Sequence, residues 1–214
     1  MEIEGIIDEI SAVLDEKDAL REEALRLTRE VVRLSGDTVK AVHRGDFETA
    51  RKRLAEAGRI VEELRKKLSA HPDLYYTGYV QSAHQEYVEA TLLLKYVTGE
   101  PFPAPSELGV PEADYALGIG DFIGELRRHF LRLLIDGDVE KAERVYGDME
   151  EVYNALMRLE YPKGLVNVRV KQDQARGIVE RTLEDLTRAK LSKALEERLG
   201  KVLDALGSEG ESGG

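Results

Sequence analysis

Four carboxylates in two neighbouring segments are the side chains of this chain best placed to do chemistry. Glu86 and Glu89 are three positions apart, and Asp121 and Glu125 are four positions apart. On an α-helix, either spacing puts both side chains on one face. Carboxylates gathered in a protein interior repel one another unless a cation lies among them. Because oxygen donors of this kind suit Mg²⁺ or Mn²⁺, the four acids predict a divalent metal site.

The apolar pattern of both segments predicts that these acids face inward. Glu86 interrupts a helical stripe formed by Tyr79, Ala83, Ala90, Leu94 and Val97. Glu125 continues a stripe formed by Tyr115, Gly118 and Phe122. Gly118, Gly120 and Gly124 each cost about 1 kcal/mol of helix propensity, which favours close backbone approach or a bound ligand. A short connection between the two helices predicts that they are antiparallel neighbours.

A metal ion bound by the four acids could position a phosphodiester and activate water. The same acids could instead face solvent or pair with arginines, and the candidate arginines are Arg127, Arg128 and Arg132.

Other chemistries fit the sequence less well. The absence of cysteine excludes disulfides, thiolate metal sites and a cysteine nucleophile. The four histidines, at 43, 71, 84 and 129, lack the spacing of zinc or di-iron sites.

The elements that must position these residues are predicted to be helices throughout. Residues 46–69 carry an a/d seam of Phe47, Ala50, Leu54, Ala57, Val61, Leu64 and Leu68. The first long helix carries a similar seam of Leu20, Ala24, Leu27, Val31, Leu34 and Thr38. Further helices are predicted at about 73–99, 111–136, 138–160 and from 167 past 200, with Gly-Asp pairs at 45–46 and 137–138 as breaks. The prediction is an all-α bundle of six to seven long helices in one domain over 1–206, with a disordered tail at 207–214.

Charge is unevenly distributed along the chain. The net charge is −11, yet residues 21–67 hold thirteen bases against nine acids, and 162–193 hold eight against four. Local positive potential is what attracts a phosphate backbone, although solvated helix faces give the same pattern. The candidate nucleic-acid contacts are Arg21, Arg29, Arg33, Lys40, His43 and Arg44 in the first helix, and Arg169, Lys171, Arg176 and Lys190 in the last. Tyr75, Tyr76 and Tyr79 could stack on bases or serve as core.

Four stretches of the sequence resemble the translin/Trax family. They are 27–34 (LTREVVRL), 41–50 (AVHRGDFETA), 85–90 (QEYVEA) and 114–128 (DYALGIGDFIGELRR). The last is similar to the family's D-Y-L-x-G-x-x-D-x-x-G-E-L motif. The likeness extends over about residues 20–190, with the motifs in the family's order.

The resemblance implies a helical bundle that assembles into a hollow, barrel-like oligomer, usually an octamer. Translin subunits bind single-stranded RNA and DNA, whereas Trax subunits contribute Mg²⁺-dependent endoribonuclease activity. The Trax catalytic acids match Glu86, Glu89 and Asp121, and Glu125 matches a nearby motif acid. Translin lacks the paired glutamates, so the chain resembles the Trax branch. We expect catalysis and Mg²⁺ (or Mn²⁺) binding at these four residues, and a homo-oligomer that binds single-stranded RNA and possibly single-stranded DNA.

Three alternatives stay open at this point. The first is a binding-only, translin-like protein in which the acids stabilise the bundle. The second is another all-α metal enzyme, such as a nucleoside triphosphate pyrophosphohydrolase, although the D-x-x-x-E spacing departs from the usual second E-x-x-D pair. The third is a purely structural oligomer. The N-terminus lacks the basic and apolar regions of a signal peptide, and no apolar run approaches the length of a membrane span, so we expect a cytoplasmic protein.

Overall fold

The chain folds into helices joined by turns. The computed structural model describes residues 2–211, with side chains described for 2–204, and this part of the chain contains no strand. The all-α prediction is confirmed. The helices are α1 (Glu2–His43), α2 (Phe47–Lys67), α3 (Pro72–Tyr75), α4 (Gly78–Thr98), α5 (Pro105–Leu108), α6 (Glu112–Ile135), α7 (Val139–Met157) and α8 (Val168–Glu211).

Two Gly-Asp pairs end one helix and begin the next, as predicted. Gly45 has φ of +77°, a left-handed conformation that glycine adopts without steric cost. The carboxylate of Asp46 then accepts from the backbone N–H of Thr49 at 3.1 Å and caps α2. Gly137 and Asp138 repeat this arrangement between α6 and α7. Each pair reverses the chain, so α2 packs back on α1 and α7 packs back on α6.

The predicted apolar seams form the core. In α2, five of the seam residues are buried and the other two are partly buried against the core. The α1 seam is buried from Ala24 to Thr38, while residues 2–16 of α1 are exposed. Helix α4 lies at the centre of the bundle and contacts α1, α2 and α6, and α6 in turn contacts α7 and α8. The two acid-bearing helices are therefore neighbours, as expected.

The predicted antiparallel orientation of α4 and α6 is wrong, because the two helices run parallel. Side-chain contacts advance in the same direction along both: His84 meets Asp114 near their starts, and Tyr96 meets His129 further on. The connection at 99–111, which includes α5, is long enough to return along the length of α4. Contacts of Gly120 and Arg127 with α8 show that α8 also runs parallel to α6.

Two boundaries differ from the sequence prediction. The helix expected over 73–99 is interrupted at Tyr76 and Thr77, where the Thr77 hydroxyl donates to the Leu74 carbonyl at 2.7 Å. This bond supports a turn that separates α3 from α4. At the other end, α8 continues to Glu211, so residues 207–211 of the expected disordered tail are helical. Residues 212–214 lie outside the described residues, and the domain boundary at 206 stays a prediction.

None of the helices in the described part of the chain has both the length and the apolar character needed to cross a bilayer.

Candidate acidic site

The acidic site consists of Glu86 and Glu89 on α4 and Asp121 and Glu125 on α6. Each of the two α4 glutamates feels the charge of both α6 acids, so the four carboxylates share one electrostatic environment. Parallel packing produces this arrangement, since it aligns the middle of α4 with the middle of α6. The structure places the four acids close enough to interact, but their side chains do not converge on one point as expected.

Crowding raises the pKa of both α4 glutamates. Partial burial is the largest cause for Glu89, followed by the charges of the other three acids, and these raise its pKa to about 8. Glu86 is exposed, whereas the apolar pattern predicted that it faces inward. The burial that it does have, followed by the charge of Asp121, still raises its pKa. At neutral pH, the site therefore disfavours full ionisation of its four carboxylates. It would gain stability from an additional positive charge.

Lys171 of α8 supplies one positive charge within the site. Its ammonium group donates to Oδ1 of Asp121 at 2.5 Å. Its charge also opposes the rise in pKa of Glu86 and Glu89. Lys171 was expected to contact nucleic acid from the protein surface, whereas the structure places it at the acidic site. No sequence pattern predicts this position, because Lys171 is far from the four acids along the chain.

His43, the last residue of α1, forms a hydrogen bond with Glu125 of the acidic site. Its Nε2 pairs with Glu125, and its side chain is only 2% exposed. Arg128 lies 3.7 Å from the other carboxylate oxygen of Glu125. We expected His43 to contact nucleic acid, but burial and the bond to Glu125 place it in the interior instead. It is a residue that orients Glu125.

Two of the three α6 glycines are explained by close helix packing. A Cβ at Gly118 would lie 2.7 Å from Cγ1 of Val88 and 3.1 Å from the Gln85 carbonyl oxygen, so α4 requires glycine there. A Cβ at Gly120 would lie 2.6 Å from Cβ of Lys171. By contrast, a Cβ at Gly124 would meet nothing within 4 Å. The glycine pattern therefore marks where α4 and α8 approach α6.

The donor chemistry of the acidic site fits a hard divalent cation. Carboxylate oxygens are the ligands that Mg²⁺ and Mn²⁺ prefer. Partial burial, followed by the charges of neighbouring acids, disfavours the ionised form of Glu86 and Glu89. The side chains do not gather three such donors around one point anywhere among the described residues. Asp121 instead faces the Lys171 ammonium group, and Glu125 faces His43. Metal binding would require the first of these contacts to rearrange.

Comparison with known proteins identifies the family. The family model described as "Translin family" matches residues 8–186. This chain belongs to the translin family. A relative, the uncharacterized protein MJ0175 of Methanocaldococcus jannaschii, is 33% identical over 173 residues, covering 80% of this chain and 77% of the relative.

Solved structures of related proteins have the same translin-family fold. One is AfC3PO in a complex with duplex RNA, with a TM-score of 0.80 and 35% sequence identity, covering 88% of this chain and 98% of that one. Another is apo-NeC3PO, with a TM-score of 0.78 and 26% identity, covering 86% and 96%. These likenesses extend over most of the helical bundle that carries the acidic site.

The remaining basic candidates of this translin-family chain lie on the surface. They are Arg21, Arg29, Arg33, Lys40, Arg44, Arg169, Arg176 and Lys190. Four of them already pair with acids on their own helix: Arg21 with Asp18, Arg33 with Glu30, Lys40 with Asp37 and Arg176 with Asp173. Lys190 pairs with Glu143 of α7. Exposed pairs of this kind are weak and can exchange an acid for a phosphate. Of the tyrosines, Tyr76 is exposed, while Tyr75 and Tyr79 are half-buried.

His84 and Asp114 form a buried pair near the starts of α4 and α6 that the sequence analysis did not predict. His84 Nδ1 lies 2.7 Å from Oδ2 of Asp114, and both side chains are almost completely buried. His84 Nε2 and Asp114 Oδ1 have no protein partner. The available signal was that Asp114 lies one helical turn before Gly118, on the same face of α6. The pair joins the starts of the two acid-bearing helices.

Proposed function

We propose that this protein is a Mg²⁺-dependent endoribonuclease of the Trax type that acts on single-stranded or short RNA. The observation that carries the proposal is the acidic site, in which four carboxylates of two helices interact, and partial burial together with the other three charges raises the pKa of Glu89 to about 8. Such an arrangement costs stability in the free protein. Stability given up at a cluster of titratable groups is typical of functional sites.

RNA as the substrate class is supported by family membership and by a solved relative. AfC3PO, 35% identical to this chain, was solved with duplex RNA. The basic residues that remain exposed, among them Arg29, Arg44 and Arg169, offer contacts to a phosphate backbone. Homo-oligomeric assembly into a hollow octamer and binding of single-stranded DNA are further parts of the proposal.

In the proposed reaction, Glu86, Glu89 and Asp121 hold the divalent cation. When bound, the ion supplies a Lewis acid for the phosphodiester and lowers the pKa of water. Glu125 orients a water molecule or an RNA group by accepting a hydrogen bond, and the buried His43 ring fixes the direction of that carboxylate. Lys171 and Arg128 reduce the repulsion between the carboxylates and an approaching phosphate.

A cleavage assay on short labelled RNA tests the proposal. The wild-type protein should cleave with Mg²⁺ or Mn²⁺ and not with EDTA. The variant Glu86→Gln/Glu89→Gln should keep the fold, as judged by circular dichroism and gel filtration, and lose cleavage by at least about 100-fold, since two metal ligands are gone. The matched control, Glu180→Gln/Glu184→Gln, removes two exposed glutamates of α8 and should cleave like the wild type. Metal-dependent cleavage by the pure double variant would refute the assignment of the site.

A binding-only protein is the second candidate. It is favoured by the Lys171–Asp121 ion pair, which occupies one of the proposed metal ligands. This alternative predicts RNA or single-stranded DNA binding that weakens steeply with salt, and no product under any metal condition. Light scattering distinguishes an octamer of the 24.0-kDa chain from smaller assemblies. A monomer would contradict the proposed shell.

A further inference from the structure

Lys171 lies beside three of the carboxylates of the acidic site. Its ammonium group is bonded to Oδ1 of Asp121 and exerts its charge on Glu86 and Glu89. Its side chain is only 20% exposed, so the ammonium is partly withdrawn from water. Three carboxylates from two helices thus share one lysine from a third helix.

The backbone is arranged to admit this lysine. Gly120 precedes Asp121, and a Cβ at Gly120 would lie 2.6 Å from Cβ and 3.0 Å from Cγ of Lys171. Any larger residue would displace the lysine stem or push α8 away from α6. Because Gly120 has no side chain, the stem of Lys171 can pack close to α6 and its ammonium group can reach Asp121. Gly124, one turn further on, has no such neighbour, so close approach of α8 is specific to the position of Lys171.

We propose that Lys171 is a built-in counter-cation of the acidic site, which holds Asp121 in the metal-free protein and is displaced when a divalent cation binds. The inference rests on the metal site of the proposed function, but not on RNA cleavage. Lysine suits this role because its ammonium is a compact point charge on a flexible stem. The stem can stay packed against Gly120 while the ammonium moves away from the carboxylate.

Competition follows from the geometry. The lysine and the incoming cation both draw on the negative charge of Asp121, so the ammonium group competes with a metal ion for this carboxylate. The lysine offsets the repulsion among Glu86, Glu89 and Asp121 before metal arrives, and the ion pair with Asp121 lowers the affinity for metal. It is therefore a positioning residue for the acidic site.

Metal binding to Lys171→Met tests this role directly. Methionine keeps much of the stem and removes the charge. Titration of Mn²⁺, followed by electron paramagnetic resonance, should show about tenfold tighter binding or more, because the competitor is gone. The variant should also melt at a lower temperature than the wild type in EDTA, and Mn²⁺ should raise its melting temperature by more than it raises that of the wild type.

The chain offers a matched control on the same two helices. Arg127 of α6 pairs with Asp185 of α8 at 2.7 Å, away from the acidic site. Arg127→Met should lower the melting temperature equally with and without Mn²⁺ and leave the Mn²⁺ dissociation constant unchanged. The conservative Lys171→Arg variant retains the charge and should not bind Mn²⁺ more tightly than the wild type.

The outcomes separate this inference from the proposed nuclease activity. Unchanged or weaker Mn²⁺ binding by Lys171→Met overturns the counter-cation role, as does the absence of Mn²⁺ binding in both proteins. If Lys171→Met binds Mn²⁺ more tightly while the wild type cleaves no RNA, the counter-cation role stands and the nuclease proposal fails. If the wild type cleaves RNA with metal but the two proteins bind Mn²⁺ alike, the nuclease stands and Lys171 is an ordinary ion pair.

Discussion

Glu62 of α2 and Glu89 of α4 are the same amino acid on neighbouring helices, yet their pKa values move in opposite directions. Arg65, one turn away, bonds to Glu62 at 2.7 and 2.9 Å, and together with Lys66 it lowers the pKa of Glu62 to about 2. Glu89 has no basic residue one turn away on α4, and its pKa rises to about 8.

The difference lies in where the neutralising charge comes from. The environment of Glu62 is local, because a helix surface with bases at i+3 and i+4 satisfies its own acids. The environment of Glu89 is made by the fold, which adds carboxylates from α6 and a single lysine from α8. Acids on helix surfaces of the first kind are ordinary. An acid of the second kind marks a place where the fold can accept a cation.

Asp114→Ala is expected to have the largest effect of the substitutions that test this comparison. Asp114 is a carboxylate of α6 more deeply buried than Glu89, but it is satisfied by His84, which shows that burial alone does not create an acidic site. Its removal leaves the His84 ring buried without a partner and should destabilise the protein by about 3–5 kcal/mol. Thermal melting measures the loss.

The control for this prediction is Asp173→Ala, an exposed aspartate whose arginine partner is 3.7 Å away. It should leave the melting temperature nearly unchanged. If Asp114→Ala is as stable as this control, the His84–Asp114 pair does not hold the starts of α4 and α6 together.

Gly118→Ala should push α4 and α6 apart and so reduce the difference in pKa between Glu89 and Glu62. The new Cβ would lie 2.7 and 2.8 Å from Cγ1 and Cβ of Val88, and the Val88 Cβ cannot move without its backbone. We expect a loss of about 2 kcal/mol in the free energy of unfolding, despite the gain in helix propensity. The matched variant Gly124→Ala meets no neighbour and should gain about 0.5–1 kcal/mol. Chemical denaturation measures the free energy of unfolding of both variants. Changes of the same sign in the two variants would contradict the close contact between Gly118 and Val88.

The sequence was sufficient to predict most of the local structure, although not the turn at Tyr76 and Thr77 that separates α3 from α4. The a/d seams and the Gly-Asp breaks depend on periodicity and capping, which are properties of neighbouring residues. The inward orientation predicted for Glu86 is wrong, because this residue is exposed. The glycines of α6 correctly indicated close approach, since Gly118 and Gly120 meet α4 and α8.

The relationships between distant helices could not be predicted in this way. The connection at 99–111 permits either orientation of α6 relative to α4, and its length favoured the wrong one. Nothing near Lys171 or His43 in sequence indicates that Asp121 and Glu125 are their partners, because tertiary packing alone brings them together. The sequence was therefore sufficient to identify the candidate acids, but not the basic residues that pair with them.

Glu89→Gln should stabilise the protein, and by more at higher pH. The pKa of Glu89 is about 8 in the folded state against an ordinary value of 4.5, so the native state binds this proton more tightly than the unfolded state does. That contribution is fully present below about pH 4.5 and is lost as pH rises through about 8. Glutamine does not titrate, so the variant should gain on the order of 2 kcal/mol over the wild type by pH 8.5 and little at pH 4.5. Melting curves in EDTA measure this difference, and a constant difference across the range would contradict it.

Glu62→Gln should give the smallest effect, with the opposite sign and the opposite pH trend. The pKa of Glu62 is lowered to about 2, so its ion pairs stabilise the fold above about pH 4.5, and that contribution is lost as pH falls through about 2. Because the side chain is exposed, the variant should melt no more than about 2 °C below the wild type at pH 7, with less difference in 1 M salt. A stabilising effect that grows towards pH 8.5, as for Glu89→Gln, would mean that the two glutamates share one environment and that α4 and α6 do not create a distinct one.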